Sequence, residues 1–313
     1  MDATLASIVA AAAPLIYAAV GEAITERAGI VNLSLDGSIL LSAMAGFAIA
    51  YTTGNVGLGF LAAAAVSGLV ALVVAWSGIG LRINQVAVGF VLTLLGAALS
   101  SYLGEGFAHQ PGPSVTPRPI PVLSEIPIIG RALFGQNLSV YGSLVLVGLT
   151  AWFLARSRIG LELRAVGERP EAAHARGIPV NRYRYLATLV GGALVGVAGA
   201  AFSLDQKLGW SDGHTTGFGW IALAIVIFGG WQPVRVAVGC YLFGALQVVA
   251  LRLQDDLPGL AQILPSLPFP LMIFTLVVVN SAALRRTLTR SPKLTRWLLP
   301  EPPAALGRNF EPE

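Results

Sequence analysis

Four ionisable residues interrupt the early, strongly apolar part of this chain: Glu22, Glu26, Arg27 and Asp36. Glu22 and Glu26 stand four apart, a spacing that puts both on one face of a helix, and Arg27 supplies an adjacent positive charge. Carboxylates in apolar surroundings are costly, so where they occur inside a span they mark ion or proton pathways. The trio reads first as a salt-bridge cluster at the cytoplasmic surface, with a proton relay as the alternative. Other chemistries find no residues to carry them. His109, His174 and His214 fall in three separate loops without metal-ligand spacing, and the single cysteine, Cys240, permits neither an internal disulfide nor a cysteine-rich metal centre. No G-x-S-x-G elbow and no G-x-x-x-x-G-K-[ST] phosphate loop occurs. The expectation is a chain that is not an enzyme, binds no cofactor of its own and does not hydrolyse ATP.

A second kind of signal is a charged, helix-prone cassette at 164–178, RAVGERPEAAHARGI. Pro170 is pre-set for a first helical turn and Glu171 complements a positive helix N-terminus. Alanines follow, and Gly177 can adopt the left-handed conformation that ends a helix. The pattern predicts a helix of about two turns over 170–177, too short to be stable alone, so it is held against its own membrane domain or a second protein. An ordinary solvated connector is the other reading.

The elements that position these residues are membrane spans. Hydrophobic residues make up 55% of the chain and charged residues 12%, about half the charge of a soluble domain. Residues 37–81 contain no Asp, Glu, Lys or Arg, and further charge-free runs cover 83–104, 185–204, 213–234, 236–251 and 257–284. A helix needs roughly 17–25 residues to cross a bilayer, so the first run is long enough for two crossings. Continuous apolar blocks exclude the alternating pattern of a β-barrel. The fold class is therefore all-α, a polytopic helical membrane protein with about nine spans. They lie near 5–24, 33–53, 57–79, 83–104, 138–155, 185–204, 217–230, 234–251 and 268–284. The seventh, bounded by glycines and Pro233, is short enough to be a half-helix or re-entrant segment. The first lacks a basic leader and has Asp2 instead, so it reads as a retained span and not a cleavable signal.

Seven arginines (156, 158, 164, 169, 176, 182, 184) lie between the fifth and sixth spans, and Arg285, Arg286, Arg290, Lys293 and Arg296 follow the last. The positive-inside rule makes both regions cytoplasmic, with the N-terminus outside. A nucleic-acid partner is excluded, because the basic residues are distributed at span ends. Polar residues flanking or interrupting spans are the candidate pathway: Asn32, Ser34, Asp36, Asn84, Gln85, Thr93 and Gln247, with aromatics at Phe218, Trp220, Phe228 and Trp231. For each polar group, an interhelical hydrogen bond is the alternative. As a set they suit an uncharged, hydroxyl-rich ligand better than an ion. Gly192, Gly196 and Ala200 form a four-spaced small face for close helix contact.

The cassette AVGERPEAAHARGIPV resembles the EAA-type coupling loop of ABC-importer permeases. The segment 26–46, ERAGIVNLSLDGSILLSAMAG, resembles the first-loop signature of the permeases for simple sugars and nucleosides, within the ribose and branched-chain amino acid permease superfamily. GFGWIALAIVIFGGWQP (217–233) and PPAALGRNF (302–310) match in the same order. Members usually have a glutamate at the position of Asp36 and a small or apolar residue at that of Glu22. The resemblance implies a permease domain over 1–284, with a coupling loop at 156–184, an outer loop at 105–137, and a cytoplasmic tail at 285–313. It implies a pore shared with a second, homologous permease and ABC ATPase subunits that bind ATP and Mg. It also implies an extracytoplasmic substrate-binding protein that delivers nucleosides or simple sugars to loops 105–137 and 205–216 at a bacterial inner membrane. Arg169, Glu171, Ala172, Ala173, Arg176 and Gly177 would contact the ATPase, and Trp220 would join the pathway. The rival readings are an ATP-independent transporter or channel and a branched-chain amino acid permease.

Overall fold

A computed structural model describes residues 2–121, 123–126, 130–256, 263–280 and 302–311. The helices are α1 (Asp2–Arg27), α2 (Leu35–Thr53), α3 (Val56–Ala75), α4 (Gln85–Gly104), α5 (Leu138–Arg156), α6 (Arg158–Glu168), α7 (Pro170–Ala175), α8 (Val180–Ala201), α9 (Phe218–Phe228), α10 (Pro233–Asp256) and α11 (Pro268–Asn280). π-helical turns, Trp76–Gly80 and Phe202–Gln206, prolong α3 and α8. Among the described residues, seven helices are long and apolar enough to cross a membrane: α1 to α5, α8 and α10. The shorter apolar α9 and α11 complete the nine segments read from the sequence, and the protein is an all-α, multi-pass membrane protein.

Local chemistry sets the helix starts. Asn55, Asn84, Asn137 and Ser157 stand just before α3, α4, α5 and α6, and each side-chain oxygen accepts a hydrogen bond from a first-turn backbone N–H. Pro170 opens α7 and Gly177 follows it with φ +80°. The helix α6 was not legible as such: the segment 156–168 reads as part of a charged loop, yet it winds into an amphipathic helix burying Leu163 and Val166.

The bundle is centred on α8, which packs against α1, α2 and α3. The four-spaced small face makes this possible, and its contacts lie within the chain. A Cβ on Gly196 would stand 2.7 Å from the Ala63 carbonyl carbon of α3, and one on Gly46 would stand 3.3 Å from the Ala200 Cβ. Backbones so close gain dispersion contacts that larger residues would prevent. Large apolar side chains such as Leu69, Val91, Leu94, Leu149 and Trp152 remain more than half exposed, as expected of surfaces facing lipid.

The long segment 105–137 folds back onto the protein. His109 N donates to the Trp210 carbonyl at 3.1 Å and Val115 N to the Leu204 carbonyl at 3.0 Å. The segments 105–137 and 205–216, read from sequence as separate loops, therefore form one surface, with Trp210 buried beneath it. Residues 122 and 127–129 of the outer loop lie outside the described residues, as do the basic residues 285–296.

Candidate functional site

The 11 residues of α9 rise about 16 Å, roughly half the ~30 Å apolar thickness of a bilayer. One end is pinned at the foot of α1: Trp231 Nε1 donates to Glu26, while Arg27 donates from Nε to the Trp231 carbonyl (3.1 Å) and from Nη2 to the Gly230 carbonyl (3.2 Å). The other end meets the first turn of α2. Gly217 N and Gly219 N both donate to Asp36 Oδ1 at 2.9 Å. The start of α2 is itself deep in the bundle, with Gly37 against the Thr93 backbone midway along α4. Two helix N-termini thus meet near half-depth, and Asp36 sits in the first turn of one while capping the other. Its charge is matched by the positive ends of both. Interrupted helices meeting near mid-membrane are the usual setting of a transport site.

A cavity of about 340 Å³ opens beside this junction, at the small end of the range for small-molecule sites. Phe202, Phe218 and Phe269 form its aromatic wall, with ring centroids 4.6 Å apart for Phe202–Phe218 and 6.1 Å for Phe218–Phe269. Gln206, Gln247, Thr216 and His214 contribute neutral hydrogen-bonding groups, and Lys207 is the one fixed charge among the described lining residues. Gln206 is oriented by donating from Nε2 to the Ala10 carbonyl at 2.9 Å.

Of the pathway residues expected from sequence, Gln247 and Phe218 line this cavity. Asn32, Ser34, Gln85 and Thr93 occupy a polar seam between the first loop and α4. The Asn32 amide oxygen accepts from Ser34 Oγ (2.6 Å), Gln85 Oε1 accepts from Val31 N (2.9 Å), and Thr93 Oγ1 donates to the Leu33 carbonyl (2.7 Å). Asn84 caps α4, accepting from Val86 N at 2.9 Å. Trp220 is 40% exposed on the outer face of α9. The carboxylates depart from the surface cluster that was expected. Glu22 is fully buried and Glu26 is 4% exposed, with Glu22 Oε1 accepting from Asn32 N at 3.3 Å and Glu26 held by Trp231. Arg27 reaches instead to Glu168, 3.8 Å away. The reason is that the chain after α1 turns back into the bundle, so a helix foot that looks terminal in sequence is covered.

At the arginine-rich end, α6 and α7 lie side by side. Arg169, Glu171, Ala172, Arg176 and Gly177 are exposed, while Pro170 and Ala173 face inward. α6 is fixed to α8 by the Tyr183 hydroxyl, which donates to Glu162; that bond, with Arg158 Nε at 2.9 Å, holds the Glu162 carboxyl below the usual carboxylate range.

Residues 4–277 match the model of a family described as the permease component of the branched-chain amino acid transport system. The chain belongs to that family. It is a permease, a transport component and not an enzyme. A putative glucose ABC transporter permease of Haloferax volcanii is 42% identical over 80% of this permease and 78% of its own length. A nucleoside ABC transporter permease of Lactococcus lactis is 33% identical (85% and 87%), and a guanosine ABC transporter permease of Bacillus subtilis 30% identical (85% and 88%). In the last two organisms a second permease named for the same substrate matches this one less well, at 26% and 24% identity.

Phe202, Gln206, Thr216, His214 and Phe269 were not among the sequence candidates. For Gln206, His214 and Thr216 the signal was the accumulation of polar residues after the sixth span, and Phe202 and Phe269 had none, since the partners that complete the cavity come from α10 and α11.

Proposed function

We propose that this permease forms half of the pore of an ABC importer for nucleosides or related simple sugars. The observation that carries the reading is the cavity beside the α2–α9 junction, with its aromatic wall and neutral amides. Such a lining grips a flat or hydroxylated uncharged solute and gives no counter-charge to an ammonium group, which disfavours branched-chain amino acids. The names of the relatives favour the same substrates. That permeases named for one substrate occur in unequal pairs favours a homologous hetero-partner. The exposed face of α7, with Arg169, Glu171, Ala172 and Arg176, is the surface offered to an ATPase that binds ATP and Mg. A substrate-binding protein docks on the joined 105–137 and 205–216 segments. The basic end faces the cytoplasm of a bacterial inner membrane, with the N-terminus outside.

The decisive experiment is reconstitution in proteoliposomes with the ATPase, second permease and binding protein. Nucleoside or monosaccharide uptake is expected only with ATP inside the compartment that holds the ATPase. Uptake without ATP or partners removes the importer reading, and uptake of branched-chain amino acids alone removes the substrate.

Orientation has its own test. In a Cys240→Ala background, Arg176→Cys is expected to resist a membrane-impermeant thiol reagent applied to whole cells, and Asp212→Cys to react. Labelling at position 176 reverses the topology.

A further inference from the structure

The chain returns to the α7 region long after leaving it. Residues 302–311 lie in a crevice formed by α6, α7, α8 and the turn after α1, and their contacts reach all four. Ala305 N donates to the Gly167 carbonyl at 2.9 Å, and Gly307 N to the Gly29 carbonyl at 2.9 Å. Arg184, whose side chain is almost wholly buried, donates from Nη1 to the Arg308 carbonyl at 2.9 Å. Asn309 Nδ2 donates to the Arg82 carbonyl, and Arg82 pairs with Glu311 at 2.7 Å. Phe310, 9% exposed, packs with Ala173, Val166 and Val180 and meets the His174 ring edge-on, with centroids 5.5 Å apart.

Consider what holds α7. It has six residues, and only Pro170 and Ala173 are buried. A helix of this length has no stability of its own and takes its position from the surface it rests on. The largest apolar group on that surface is Phe310, contributed by the tail. The same tail is bonded to the turn after α1, whose chain continues into the α2–α9 junction. A displacement of α7 therefore reaches the membrane core through a bonded segment and not through the short connections to α6 and α8 alone.

We propose that residues 302–311 are a positioning strut that holds α7 in register with the first loop and carries its displacement to the bundle. The transport role of the strut rests on the importer reading above; its structural role does not. Without the strut, α7 remains attached and can still meet an ATPase, but its motion dissipates locally.

Two measurements test this. Hydrogen exchange on the permease alone, comparing wild type with Phe310→Ala and with deletion of 302–313, is expected to show exchange at amides 171–178 rising about tenfold, with the middle of α8 unchanged. In the reconstituted assembly, substrate taken up per ATP hydrolysed is expected to fall about fivefold or more in both variants, while the ATPase still co-purifies; Phe310→Leu, which keeps an apolar group of similar reach, is expected to restore most of the ratio. Unchanged exchange at 171–178 overturns the strut, as do uptake and hydrolysis falling in equal proportion. The exchange experiment needs no ATPase, so a wild-type assembly that shows no ATP-driven uptake counts against the importer reading while the strut is still decided.

Discussion

Asp36→Ala is expected to reduce uptake about tenfold or more and to lower the stability of the detergent-solubilised permease by about 2–4 kcal/mol. The size follows from two backbone N–H groups, those of Gly217 and Gly219, losing their acceptor at once. Both lie near half-depth in the bundle, where water to replace the carboxylate is scarce. Asp36→Asn keeps an oxygen in place but loses the charge between two helix N-termini, so it is expected to fall between wild type and alanine in both measurements. Neither variant is expected to change which substrate is preferred, because the carboxylate is turned to the backbone of α9. The measurements are thermal unfolding midpoints and uptake in vesicles across a panel of substrates. Wild-type behaviour of the alanine variant would show that α9 is positioned without Asp36, and a changed preference would make Asp36 a ligand contact instead.

The spans were legible because crossing a bilayer requires long apolar runs, and a composition constraint of that length survives any uncertainty about packing. The two-turn helix over 170–177 was legible for a similar reason: Pro170, Glu171 and Gly177 act through local backbone chemistry. α6 was missed because its signal is amphipathic and charged, and an arginine-rich stretch between spans looks like a loop until Leu163 and Val166 find a surface. The site was only partly legible. Gln247 could be chosen as a polar residue in a span, but the cavity around it is assembled from α1, α8, α9, α10 and α11 and the segment between α8 and α9. No local pattern encodes such a meeting. Glu22 and Glu26 illustrate the converse, since their spacing was read correctly and their environment was not; burial by the returning first loop is a tertiary event. The tail motif at 302–310 resembled a family feature, yet nothing in its sequence names Ala173 or Gly167 as the partner.

Glycine serves two different purposes in this fold, and a matched pair of substitutions separates them. A Cβ on Gly37 would stand 2.6 Å from the Thr93 Cα and 2.8 Å from its carbonyl carbon, both backbone atoms that cannot rotate aside. Gly37→Ala must push α2 from α4, which also strains the bonds from Thr93 Oγ1 to the Leu33 carbonyl and from Ser100 Oγ to the Leu40 carbonyl. Its expected cost is about 3 kcal/mol, with most folded protein and nearly all uptake lost. Gly177 is the opposite case. Nothing lies within 4 Å of a Cβ there, and the constraint is its φ of +80°. Gly177→Ala therefore carries only the penalty of a left-handed backbone, about 1 kcal/mol, confined to the end of α7. It is expected to fold and insert normally and to lower uptake severalfold through a misplaced α7. Fluorescence-detected size exclusion with a thermal ramp, followed by vesicle uptake, measures both. The reverse order of stability would mean that the α2–α4 contact is loose enough to absorb a methyl group, and with it that the start of α2 is not fixed against α4.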